Sequence, residues 1–568
     1  MAIPAAVIEP WRLSDHLDRA LHSLSKDKYR YKRPQKNALS PVCVADSFSY
    51  LLEKQDFTWI SRFLPGYLRA NGNLLVKRLL FSAQRVGFSF DLMRAYDQLF
   101  YGCIPEFVKR YDTDDAFAYR RIAGPNALEI RRVDDLHRLL MKIPIRSEAL
   151  AAALGRPIDL RKAVELGRLF EVDFVRIQRA LRPSACPRRT RDSRWRQKYL
   201  PAPIAVFLEA PGRGTTELVP LAIQIDQPQP PGEHNPVYYP DGGAAWKIAK
   251  LYFEVADQNS HFGCGHVYRT HFVMEPFCLA TARQLAFEHP IHLLLRPHTR
   301  YTLATNSAAY KDFVDRKEIY FDFYAGTLEE SRQILIESYK EKTFLALDLE
   351  AELTSRGVSS HLDHYPYRDD ARLWRAPIRD FVNAYVRAFY ACDASVRQDA
   401  ELQAWAAELM DRDFGAVCGL VPDDCLDTID KLVDLLAQVL FIAGPGHASQ
   451  HFSEMYYYRY QPAFAAAAYA PPVWDAGRAN EARFRNTLPP IDPGGLQFAY
   501  SDFGDFRYDR FGDYSQYPLD RVRQAVGPIR RLQASLERVE LTIEERLAER
   551  MLRYDFLLPS RVPNSINI

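Results

Sequence analysis

Residues 246–277 read WKIAKLYFEVADQNSHFGCGHVYRTHFVMEPF, and the reading of this stretch decides the fold. From Ala244 to Glu288 few helix breakers interrupt the pattern, which predicts one long helix. Inside it, His266 and His271 stand five residues apart. On a regular α-helix, steps of roughly 100° leave such a pair about 140° apart. A π-turn widens the helix and brings positions i and i+5 to one face, and such turns gather at functional sites. Gly263 and Gly265, just before, ease that distortion. The spacing therefore predicts a local π-turn if both imidazoles serve one site.

A second pair lies in GPGHASQHF, residues 444–452. His447 and His451 are four apart, which places both rings on one face of an α-helix. The helical pattern of Asp427 to Ile442 must continue through Pro445 to reach them, and the proline should distort the helix just before His447. The sequence closes on VPNSINI, with Ile568 last. Four imidazoles and one free carboxylate can make a metal site with room for a reactive ligand. Against this, a histidine taken singly is more often a satisfied core or surface residue, and His261 also stands five from His266. HPIHLLLRPH, with His289, His292 and His298, has spacing that would allow a zinc site. On spacing alone the two sets of histidines stand nearly level.

The chain of 568 residues is 47% hydrophobic, enough for a large core, and its net charge of +2 lacks the basic excess of a nucleic-acid binder. The start, MAIPAAVIEPWRLSDHL, has no basic segment followed by an apolar one, so no secretory signal is expected. The most apolar run, Leu432 to Ala443, stops at Gly444-Pro445-Gly446 and is shorter than the roughly 20 residues of a spanning helix. The 8 cysteines show no regular pairing, which suits free thiols in a reducing compartment. A cytoplasmic protein, with contact at membrane surfaces as a further expectation, fits these features.

The organisation reads as mostly α. Residues 183–203 form a Pro- and Arg-rich loop, followed by two strand-like runs, Ile204 to Glu209 and Leu218 to Ile225, around a Pro211-Gly212-Arg213-Gly214 turn. Arg375 to Cys392 and Asp427 to Ile442 read as helices, residues 461–515 as loop-rich, and about Pro518 to Arg553 as a last helix.

At these residues the chain resembles the lipoxygenase family. WKIAK, HFGCGHVYRTH, EPFCLATARQL and HPIHLLLRPHTRYTLATN follow one another from Trp246 to Asn306, as in the family's central helix. DDAFAYRRIAGPNALEI (114–130), YPYRDDARLW (365–374) and LLPSRVPNSINI (557–568) are similar to family motifs in the same order. The resemblance implies a single large, mainly helical catalytic domain over 111–568 with a small β element. It implies iron held by His266, His271, His447, His451 and the α-carboxylate of Ile568, and it assigns HPIHLLLRPH to the scaffold. It further implies a dioxygenase that takes a hydrogen atom from a bis-allylic CH2 of a polyunsaturated fatty acid through a ferric hydroxide, adds O2 and releases a hydroperoxide. Ala309, three past Asn306, falls where the family's Ala goes with S-configured products, and Phe323 and Tyr324 fall near its pocket-depth determinants.

Two positions depart from the pattern. Phe262 stands where the family often has Gln or Glu, and Glu454 where it usually has Gln. Both lie where hydrogen bonds would orient metal ligands. They leave open a fatty-acid hydroperoxide isomerase on the same fold, with a non-enzymatic lipid-binding protein as the remaining alternative. Residues 1–110 read helical rather than as the β-barrel of PLAT type that many relatives carry, which suggests a compact, bacterial-type form. In that region the aromatic-rich stretch Trp59 to Phe81, and further on the arginines of 188–198, are candidate lid or headgroup contacts, though ordinary core and solvated loop are the simpler readings.

Overall fold

The computed structural model describes residues 29–32, 44–45 and 91–567, apart from 101, 182–187, 192–195, 213–215, 228–234, 311–322 and 474. The expected helical elaboration over 1–110 and its stretch from Trp59 to Phe81 fall almost wholly outside these residues. The described part of that region holds a two-stranded ladder, Tyr31–Lys32 with Val44–Ala45, and the short helices Leu92–Gln98 and Glu106–Lys109.

Five antiparallel strands form one sheet in sequence order: β1 (Arg131–Arg132), β2 (Leu169–Asp173), β3 (Ile204–Pro211), β4 (Thr216–Gln224) and β5 (Val237–Tyr238). Successive side chains of β3 alternate between faces. Ala205 and Phe207 enter the main core, while Ile204, Val206 and Leu208 enter a second, smaller cluster. The sheet is thus covered on both sides, which is why its strands lack a polar alternation. Part of the stretch expected as an Arg-rich loop is a separate ladder, Arg188–Arg191 against Gln197–Leu200. Within it Arg196 is committed to Asp492 at 3.0 and 3.2 Å.

The helices that position the site are, in chain order, α1 (Asp114–Ala123), α2 (Leu136–Lys142), α3 (Ala244–Ser260), α4 (Val273–Gln284), α5 (Pro290–Thr299), α6 (Thr302–Tyr310), α7 (Leu349–Ser355), α8 (Pro366–Phe389), α9 (Ile429–Phe441), α10 (His447–Tyr457), α11 (Ile491–Gly504) and α12 (Arg523–Leu547). The helix expected from Ala244 to Glu288 is α3, a π-helix over His261–Phe272, and α4 in unbroken succession, ending at Gln284. Helix α8 begins nine residues earlier than its apolar spacing suggested, with Pro366 in the first turn where no backbone donor is needed. Residues 461–515 are less irregular than expected, since Glu481–Thr487 and α11 lie within them.

Helix α9 starts under a Thr428 cap, buries Ile429, Leu432, Val433, Leu435, Leu436, Val439 and Leu440, and packs on α8. Each such side chain contributes about 1.5–3 kcal/mol on burial. The apolar run does not stop at Gly444-Pro445-Gly446. A second π-helix, Ile442–Gly446, carries it into α10, so Ile429–Tyr457 is one rod, long and apolar enough to cross a bilayer by length and composition. Its apolar window is 72% buried inside the protein and its far end carries His447 and His451, so here it serves as a core helix.

Helix α3 is buried from Ile248 to Ser260, so its acidic groups need internal partners. Arg120 and Arg121 of α1 supply them, meeting Glu254 at 2.8 and 2.9 Å. Arg121 also pairs with Asp257, whose carboxyl burial pushes up to about 7. This lattice locks the last turns of α3 just before the π-turn begins.

Candidate metal centre

Three imidazoles converge in the core. The ligand atoms of His266, His271 and His447 all lie within 4.8 Å of one another. His266 Nε2 is 3.1 Å from His271 Nε2 and 3.3 Å from His447 Nε2. Two donors at right angles on a metal, each about 2.1 Å away, would stand about 3 Å apart. The first π-helix brings His266 and His271 to one face as their spacing required, and the second turns His447 toward them. Gly265 has a further constraint beside the one expected of it. A Cβ there would meet His261 Cδ2 at 2.9 Å and Gln450 Oε1 at 3.2 Å, so the glycine permits α10 to approach closely. At Gly263 a Cβ would make only an ordinary contact with Ile334 at 3.7 Å.

Hydrogen bonds set which ring nitrogens face the convergence. Asn306 Nδ2 donates to Glu275 Oε2 at 2.6 Å and to His271 O at 3.3 Å, so its Oδ1 must face the His271 ring, where it accepts from Nδ1 at 2.8 Å. His271 therefore presents a lone pair at Nε2. His451 Nε2 donates to Gly504 O at 2.7 Å, so its lone pair is on Nδ1, a buried atom with no partner. His451 lies outside the three-nitrogen set, but its ring stands 4.9 Å from that of His447 and 5.2 Å from that of His266.

Glu454 Oε2 lies 2.8 Å from His266 Nδ1; with a cation bound, its carboxylate would hold that nitrogen as a donor and leave Nε2 for the cation. Burial pushes the Glu454 carboxyl well above the usual range, and burial lowers the His266 and His271 imidazoles to about 3. Neutral rings whose Nε2 atoms stand this close can all turn lone pairs to one cation, so the donor set fits a metal. Imidazoles with an open position suit iron among others.

The remaining predicted residues fall as follows. Ile568 lies outside the described residues, while the tail before it is fixed: His298 Nδ1 donates to Asn564 O at 2.8 Å, and Asn564 Nδ2 donates to Asp509 Oδ2, Arg510 O and Asp513 O at 3.0–3.1 Å. Ala309 is in α6, its side chain outside the description. Phe262 makes no polar contact to a ligand; its ring stacks on Tyr324 with centroids 4.3 Å apart. Phe323 packs edge-on against Tyr500 at 5.8 Å.

HPIHLLLRPH contributes nothing to the cluster. His289 pairs with Asp399 at 3.0 Å and caps α5, His292 faces Leu285 O at 3.0 Å, and His298 holds the tail. The sequence reading gave Asn306, Glu275 and His261 no role at the site. The signal for Glu275 was its place one turn beyond His271. His261 Nδ1 meets Tyr458 OH at 2.8 Å and lies 3.5 Å from Glu454 Oε2, so it buttresses the carboxylate beside His266.

A mainly helical fold around converging, neutral imidazoles on two π-turns defines a class of protein built on a buried histidine centre fit for a metal. The lipoxygenase family profile matches residues 102–471, and the chain belongs to that family. It is 33% identical over 485 residues to the Linoleate 9/13-lipoxygenase of Pseudomonas aeruginosa, covering 82% of this chain and 68% of that one. It is 29% identical over 496 residues to the human Hydroperoxide isomerase ALOXE3, covering 83% of this chain and 65% of that one. A solved lipoxygenase in complex with arachidonate superposes with a TM-score of 0.85 at 25% identity, over 98% of this chain and 82% of that one. The protein is a lipoxygenase-type dioxygenase.

Proposed function

We propose that the protein adds O2 to a polyunsaturated fatty acid of the linoleate or arachidonate type at an iron held by His266, His271, His447, His451 and the Ile568 carboxylate. The observation that carries this reading is the convergence of three neutral imidazole nitrogens, with the His271 tautomer set by Asn306 and Glu275. Iron so held supplies the one-electron chemistry that removes a bis-allylic hydrogen atom, which no side chain here can supply. The chain's own work is to hold the donors in place. Glu454 orients His266 and Asn306 orients His271, while Gly504 O engages His451 Nε2 and leaves its buried Nδ1 without a partner. The clamp on Asn564 fixes the segment that leads to Ile568.

The test is iron analysis with oxygen uptake and conjugated-diene absorbance on linoleate. Near-stoichiometric iron with uptake supports the reading, and iron-loaded protein that leaves every polyunsaturated acid untouched overturns it. Ala309 supports an S-configured product, and chiral analysis of an Ala309→Gly variant should show a shift toward R. A second reading, hydroperoxide isomerisation, is favoured by one feature: Phe262 removes a polar side chain beside the centre and stacks on Tyr324 instead. Consumption of a fatty-acid hydroperoxide without oxygen uptake would select it.

A further inference from the structure

A cavity of about 200 Å³ opens between β1, α2, Glu171 of β2 and the loop after α7. Its wall carries five cations, Arg131, Arg132, Arg138, Lys142 and Arg356, against three carboxylates, Asp134, Asp135 and Glu171, of which Asp135 accepts from the Arg138 backbone N–H at 3.0 Å as the cap of α2. Lys142 is already answered by Glu171 at 3.3 Å and Asp173 at 2.7 Å. Arg131 and Arg138 are exposed and make no ion pair among the described residues. Arg356 is only 5% exposed. Its Nη1 donates to Ile130 O at 2.8 Å and Tyr365 OH at 3.2 Å, but its Nε and Nη2 are buried with no acceptor. Arg132 Nε is buried without one too. Gly357, in the left-handed region at φ +68°, lets that guanidinium lie against the loop, since a Cβ there would meet Arg132 Nε at 3.1 Å.

Native proteins seldom leave guanidinium donors dry, because each pays its desolvation with nothing in return. The crowding continues behind Arg356. Burial, with Arg356 among the nearby charges, lowers Arg269 to about 10, and burial and Arg269 lower Lys342 to about 6. Lys342 pairs with Glu352; burial is the main cause of its shift, with Arg269 and Arg356 adding to it. Glu129 and Glu352 answer Arg176, Arg269 and Lys342, and no carboxylate among the described residues pairs with Arg356.

We propose that this cavity is an anion site that takes a phosphate group, on a soluble phosphate ester or on a lipid headgroup. A tetrahedral dianion offers the several acceptor oxygens that the free N–H groups of Arg132 and Arg356 require, and Arg131 and Arg138 close over it from the rim. The site is independent of the reaction assigned above and stands or falls without it.

The experiment is calorimetric and thermal-shift titration of the metal-replete protein with inorganic phosphate and pyrophosphate, at ionic strength matched with chloride. Saturable binding to the parent, weakened about tenfold or more in an Arg131→Ser/Arg138→Ser double variant, supports the site. Arg356→Gln should abolish binding; since that residue is buried, the surface double variant keeps the test open if Arg356→Gln misfolds. Equal affinity in parent and double variant, or a shift that chloride reproduces, overturns the proposal. Sedimentation with phosphatidic acid vesicles against phosphatidylcholine vesicles separates the sources. Arginine-dependent retention on the acidic vesicles assigns a headgroup, and its absence alongside phosphate binding assigns a soluble ester.

Discussion

Removing the carboxylate beside His266 should weaken metal binding while strengthening the metal-free protein. Glu454 Oε2 stands 2.8 Å from His266 Nδ1 in a fully buried setting. A hydrogen bond to a charged partner contributes about 1.5–3 kcal/mol, and each 1.4 kcal/mol is about tenfold in affinity. Glu454→Leu should therefore cost about 10- to 150-fold in iron affinity, in the range found when groups that orient metal ligands are removed. Glu454→Gln keeps an acceptor oxygen but not the charge. A neutral bond is worth about 1 kcal/mol less, so the loss should be near fivefold. The metal-free protein moves the other way. Burial pushes the Glu454 carboxyl well up, so leucine in its place relieves a buried acid and should raise the thermal midpoint without metal. Chelator competition at fixed pH gives the affinities, and scanning calorimetry of metal-free protein gives the midpoint. A leucine variant that binds iron as tightly as the parent would refute the role given to Glu454. A fall in both affinity and metal-free midpoint would mean that Glu454 holds the fold rather than the ligand.

Glu254→Gln strips the buried pairing from Arg120 and Arg121 and should cost about 3–5 kcal/mol in chemical denaturation, as breaking a buried ion pair does. Gly444→Ala places a methyl 2.5 Å from Phe511 Cδ2 and should lower stability by about 1–3 kcal/mol in the same assay. His298 is held at about 3 by burial against 6.5 when free. The unfolded chain thus takes up a proton that the fold refuses, and stability should drop by up to about 1.4 kcal/mol per pH unit as pH falls from 6.5 toward 3. His298→Gln should remove that share of the acid slope. Asp226 has the opposite sign. Burial raises its carboxyl from 3.8 to about 7, so stability falls as pH rises through that window, and Asp226→Asn should flatten the fall.

What the sequence made legible follows from how local each feature is. The five-residue gap between His266 and His271 foretold a π-turn, because ring placement on a helix depends on spacing alone. The second π-turn was seen only as a distortion at Pro445, since the chain's recovery into α10 depends on packing around Gly444 and Gly446. The ends of α8 were misplaced because Pro366, a breaker inside a helix, is a good first residue. Asn306 and Glu275 went unread because their roles arise where α6 meets α4, a contact no short motif encodes. The same is true of His298, which spacing offered as a zinc ligand and the fold uses to hold a carbonyl 266 residues away.

The 12-residue π-helix has a consequence for how the chain tolerates change in length. Deleting one residue between His266 and His271 would restore i→i+4 spacing and leave the two rings facing one way. The register downstream would survive with them, because residues after His271 keep their offset from its ring. Met274, Phe277 and Leu279, now wholly enclosed, would stay on their present faces of α4, drawn about 1.5 Å along the axis toward α3. The π-turn is therefore an extra residue the rod can lose: a deletion here should be seen as folded protein with an altered centre, and seldom as insoluble chain.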